Sequence, residues 1–99
     1  MAEYRDEIDS FRKTLTTQYP KASSLALTVG STLCVLLQKS IEGDLVATAQ
    51  IRAIESTPER WEEAKKLFKK QFKFKFQDEK DLLIFLNQIR EKTEQIVSI

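Results

Sequence analysis

The chain has no histidine among its 99 residues. The usual general base near neutral pH is therefore missing, and so is the commonest transition-metal ligand. Catalytic triads built on histidine and histidine zinc sites are excluded. Cysteine is almost as scarce, since Cys34 stands alone. A single thiol cannot form an intramolecular disulfide, which points to a reducing, cytoplasmic setting. Two glycines and two prolines argue against long structureless loops. Gly30 and Gly43 are lone glycines, so no phosphate-cradling loop exists. Neither sign of charge dominates: 16 basic residues face 15 acidic ones, a net of +1. That balance gives no general pull toward nucleic acid.

No apolar run reaches the ~20 residues of a membrane span. The most apolar window, Leu25 to Leu37, is interrupted by Thr28, Gly30, Ser31 and Thr32. The first six residues are acidic and hold no signal-peptide core, so no membrane partner is expected. What remains is a chain of single-domain length, 1–99, with a 41% apolar fraction that can build a core.

The richest stretch is 64–77. It holds Lys65, Lys66, Lys69, Lys70, Lys73 and Lys75, no acid, and Phe68, Phe72, Phe74 and Phe76. Its period changes midway. Trp61, Ala64, Leu67 and Phe68 recur as on a helix. Phe72, Phe74 and Phe76 then alternate with Lys73, Lys75 and Gln77, the period of a half-buried strand.

The other elements follow from similar signals. Tyr4, Ile8, Phe11, Leu15 and Tyr19 form an apolar stripe on a helix over 2–18, closed by Pro20. Thr57 and Pro58 open a helix over 57–71. Asp78 and Asp81 open a last helix, from about Glu79 to Val97, with Leu82, Phe85, Leu86, Ile89 and Ile96 inward. The middle is ambiguous. Runs Leu33–Ile41 and Leu45–Ile54 flank Glu42-Gly43-Asp44, a fair hairpin turn, and the second run alternates. Thr28 to Thr32 are poor helix formers.

The expected fold is therefore α+β: a two-layer sandwich, helix–hairpin–helix–strand–helix, around a short mixed sheet. Strand 45–54, helix 57–71 and strand 72–77 would make a right-handed crossover. The alternative is an all-α bundle with helices near 2–18, 21–41, 44–55, 57–76 and 78–97. In that bundle Phe74 is out of phase with Phe72 and Phe76.

Function reads as a non-enzymatic interaction or adaptor module. It would dock a protein partner, or a second copy of itself, through the basic face Lys65, Lys66, Lys69, Lys70, Lys73 and Lys75. Four acids in residues 1–9, and Glu55, Glu59, Glu62 and Glu63 later, offer complementary charge. A strand edge at 33–41 or 72–77 would also accept a partner strand. The alternative is a nucleic-acid-binding domain using the same lysines, with Phe74 or Phe76 stacking on bases. Neutralising about six phosphates would give a log–log salt slope near −5. The acids at Glu62-Glu63 and Asp78–Asp81 sit at helix starts and read as caps, so no metal is expected. No cofactor and no small-molecule substrate is evident. Cys34 lies among Leu33, Val35, Leu36 and Leu37 and reads as a buried, inert thiol.

Overall fold

The computed structural model describes residues 4–97, with side chains through residue 93. Five α-helices follow one another: α1 (Arg5–Gln18), α2 (Ser24–Ile41), α3 (Leu45–Glu55), α4 (Pro58–Leu67) and α5 (Glu79–Val97). A π-helical turn, Phe68–Phe72, extends α4. Among the described residues there is no strand. The α+β sandwich, its hairpin and its crossover are thus overturned, and the helical bundle holds. Its helices lie close to the ranges expected for that alternative. The inward face assigned to Ile96 lies outside the described residues, as does Glu3.

The first correction concerns 33–41, which belongs to α2. Ala26, Leu27, Gly30, Ser31, Leu33, Cys34, Val35, Leu36 and Leu37 are all buried there. Weak local propensity is outweighed by that burial. The Ser31 hydroxyl is satisfied within the helix, donating to the Leu27 carbonyl at 2.5 Å. By length and composition α2 would also fit a membrane span, although half of it is buried among the other helices.

Residues 45–54 are α3, and the buried set is Ala47 and Ile51, with Ile54 partly buried. That spacing is helical. The alternating alanines carried no strand information, since alanine is the best helix former. Gly43 does adopt a positive φ of 100°. It ends a helix instead of joining two strands. The Asp44 N–H donates to the Lys39 carbonyl and the Gly43 N–H to the Ser40 carbonyl, a Schellman cap. Asp44 then caps α3, accepting from the N–H groups of Val46 and Ala47 at 3.0 and 3.1 Å.

Residues 72–77 correct the third expected strand. Lys73 takes the left-handed conformation, φ 55° and ψ 33°, and stops the π turn. The N–H groups of Lys73 and Phe74 both donate to the Phe68 carbonyl. The chain beyond is non-helical to Asp78, and among the described residues no strand lies beside it. Its burial still alternates: Phe72 and Phe76 are buried, Phe74 is half-buried, and Lys73 and Lys75 are exposed. The sequence period recorded side-chain burial, without any ladder of backbone hydrogen bonds.

The core is aromatic at this end. Phe68 is fully buried and meets Phe76, Phe85 and Phe72 at ring separations of 4.8, 5.1 and 5.2 Å. Trp61 meets Phe76 at 5.2 Å, and Phe74 rests on Phe85 at 5.1 Å. Consecutive helices pack on one another in chain order, α1 on α2, α2 on α3 and α3 on α4, while α5 returns to lie against α1 and α2.

Candidate functional site

The outward side of α4 and its π turn changes sign along its length. Trp61, Ala64, Phe68 and Phe72 turn inward. Glu59, Glu62 and Glu63 are exposed on the first turns, and Lys66, Lys69 and Lys70 on the last ones. That order suits the helix dipole, which favours anions early and cations late. The left-handed Lys73 and the extended Lys75 continue the basic surface past the helix end.

The six lysines divide into two groups. Lys65 is half-buried and engaged: its Nζ donates to Glu62 at 3.1 Å and to Gln77 at 3.5 Å. Lys66, Lys69, Lys70, Lys73 and Lys75 are exposed. Among the described residues their ammonium groups have neither an ion-pair nor a hydrogen-bond partner. Arg5, Lys13, Lys21, Arg60 and Lys80 likewise have no such partner among the described residues, but they are scattered, whereas the five lysines are clustered within 66–75. Other cations are engaged. Lys39 pairs with Glu7 and Glu42, Arg52 pairs with Glu55 and Glu79, and Arg12 donates to Ser24.

Two features beside the lysines were not anticipated. Gln71 fastens the π turn to α2, its Oε1 accepting from the Ser23 N–H at 3.0 Å. A cleft of about 260 Å³ opens between α2, α3 and α4, walled by Leu25, Val29, Leu33, Ile54 and Leu67. Arg60 and Glu63 stand at that cleft. Leu25 at its rim is 54% exposed, although Ala26 and Leu27 beside it are buried.

The groups considered for chemistry are engaged otherwise. The Asp78 carboxylate accepts from the Asp81 N–H at 3.2 Å, and Asp81 accepts from the Gln77 N–H at 2.9 Å. This is a variant of the capping box, as the spacing predicted. Glu79 pairs with Arg52. Thr57 holds the N-cap position of α4, but its hydroxyl donates back to the Ala53 carbonyl. Among the described residues no three His, Cys, Asp or Glu side chains gather as a metal-holding group. Burial pushes the Cys34 thiol up to about 12, against a smaller opposing pull from Arg90.

The phenylalanines of the basic segment are mostly committed to the core. Phe76 is 1% exposed and Phe72 is 3% exposed, so neither offers a ring face to a base. Phe74 alone keeps part of its surface outside. With no strand among the described residues, the strand-edge docking expected at 33–41 or 72–77 also falls. No protein-family model, no curated protein and no solved structure matches this chain.

Proposed function

We propose that the protein is a non-enzymatic interaction module that docks a carboxylate-bearing protein surface through Lys66, Lys69, Lys70, Lys73 and Lys75. The observation that carries this reading is the clustering of five exposed, unpartnered ammonium groups within residues 66–75, with no acid among them. Lys65 flanks the surface and orders it through Glu62 and Gln77. Unpaired surface charge of one sign steers encounter with the opposite sign and sets partner choice more than affinity. A cytoplasmic setting belongs to the same reading, supported by the lone buried thiol.

Nucleic acid is the competing ligand for the same lysines. It is less well supported, because Phe72 and Phe76 sit in the core and leave Phe74 as the lone stacking platform. The test is fluorescence anisotropy with a labelled polyglutamate peptide and a labelled duplex oligonucleotide, at matched low salt. The triple variant Lys69→Glu/Lys70→Glu/Lys73→Glu should lose peptide binding and keep its helical circular dichroism. Undiminished peptide binding by that variant would sink the proposal. Tighter oligonucleotide than peptide binding, with a steep salt slope, would replace it with the nucleic-acid reading.

A further inference from the structure

Seven exposed charges along α4 and the π turn that follows it are spaced symmetrically in sequence, with exposed Arg60 outside the pattern. Reading along the chain, they fall at Glu59, Glu62, Glu63, Lys66, Lys69, Lys70 and Lys73. The steps between them run three, one, three and then three, one, three, with Lys66 at the centre. The sign reverses across that centre: three glutamates precede it and three lysines follow. All seven residues are exposed. Dipole complementarity accounts for acids early and bases late. It does not require that the two halves mirror each other in spacing.

We infer that this face binds a second copy of the chain, with the two segments of α4 and π turn antiparallel about a two-fold axis near Lys66. This deepens the docking proposal above and rests on it, since it names the carboxylate-bearing surface as the partner copy's own α4. An antiparallel pairing centred on Lys66 brings the glutamate turns of each copy, Glu59, Glu62 and Glu63, against the lysines of the other, Lys69, Lys70 and Lys73. Two-fold symmetry makes each pairing occur twice, because an isologous interface uses the same patch on both partners. The geometry closes at two copies. The acid-rich N-terminal turns of a second copy would instead make a head-to-tail contact, which need not close. Exposed ion pairs are individually weak and are screened by salt. The dimer is accordingly a low-affinity, salt-sensitive one. The Glu62–Lys65 pair within each copy must loosen for Glu62 to reach across.

The axis itself gives the most specific signature. It places both copies of Lys66 face to face, and like charges in contact repel. Lys66→Gln should therefore tighten self-association, by about threefold if the relief resembles a weak exposed ion pair. A basic surface that only docks foreign carboxylates would be weakened by the same change.

The experiment is sedimentation equilibrium of the full chain over rising concentration, at low and high salt. A monomer–dimer equilibrium that weakens about tenfold or more at high salt is expected. Lys69→Glu/Lys70→Glu/Lys73→Glu should be monomeric, and so should Glu59→Lys/Glu62→Lys/Glu63→Lys. Mixing the two should restore a one-to-one complex. Lys66→Cys treated with a short bis-maleimide should give a covalent dimer, whereas Lys80→Cys should not. Buried Cys34 leaves wild type as the unreactive control. A monomeric wild type at millimolar concentration and low salt would overturn the inference. So would growth beyond dimers, or weaker association of Lys66→Gln. If wild type is monomeric yet polyglutamate binding still depends on the lysines, the two-fold dimer fails and the docking reading stands.

Discussion

Gly30 of α2 lies against the ring of Phe72. A Cβ built on it would stand 3.0 Å from Phe72 Cε2 and 3.3 Å from Leu15 Cδ1. Alanine in a helix interior is ordinarily worth about 1 kcal/mol over glycine. Overpacking a tight core costs about 1–3 kcal/mol. Gly30→Ala should therefore lose stability, by about 1 kcal/mol, where propensity alone predicts a gain. Urea denaturation reads the sign directly. The double variant Gly30→Ala/Phe72→Leu should fall short of the sum of the two single losses, because the neighbour that crowds the new methyl has been trimmed.

Lys73 occupies a left-handed position that glycine prefers. That conformation costs a non-glycine residue roughly 1–2 kcal/mol, while glycine adds roughly 0.5–1 kcal/mol of chain entropy. Lys73→Gly should raise stability by about 0.5 kcal/mol. Lys70→Gly, within the π turn three residues earlier, should lower it by about 1 kcal/mol. Thermal or urea unfolding of the pair checks the opposite signs.

Asp44 should make stability depend on pH. The Tyr4 hydroxyl donates to its Oδ2 at 2.7 Å, and the backbone N–H groups of Ala47 and Val46 add to the effect. These bonds hold its carboxyl below the ordinary 3.8. A lowered folded value means the contribution is present above about pH 4 and is lost as pH falls through it. Tyr4→Phe should be less stable than wild type at pH 6. The gap between them should narrow steadily under acid, and a gap that stayed constant to pH 2 would count against the assignment.

Cys34 should resist thiol reagents in the native state and react freely in denaturant. Its burial raises the folded thiol to about 12, from an ordinary 9.0. A raised folded value means the contribution is complete below about pH 9 and is lost as pH rises toward 12. The rate of disulfide-exchange labelling, with and without urea, is the check. Fast native labelling would show that α2 opens locally.

Phe76 and Phe74 should differ sharply on truncation. Phe76→Ala removes a buried ring wedged against Phe68 and Trp61 and should cost about 3–5 kcal/mol. Phe74→Ala should cost roughly half as much, because that ring is already half outside. Circular dichroism with urea titration separates the two.

Much of the helical architecture was legible, and the misreadings share a cause. Helices α1, α4 and α5 carry one-sided apolar stripes, and their period identified them. α2 is buried on most of its circumference, so no single stripe stands out and only its weak propensity was visible. In α3 the alternation came from alanines, which fit either period. At Gly43 the positive φ was foreseeable, but a hairpin turn and a Schellman cap both use it. At Phe72–Phe76 the burial pattern was read correctly as alternating, and what the sequence did not show was whether a second strand lay alongside. The basic surface was visible as composition. That Lys65 would turn aside to Glu62 and Gln77 depended on where Gln77 is brought by the turn, which is a tertiary matter.

The order in which the helices meet has a kinetic consequence. Because α1 to α4 each pack on the next in the chain, most of the bundle can condense through short loops of low closure entropy. Only α5 must travel back to α1 and α2, carrying Phe85 into the ring cluster. Such a topology of mostly local contacts belongs with the fast-folding domains, and the docking of the C-terminal helix is its least local step.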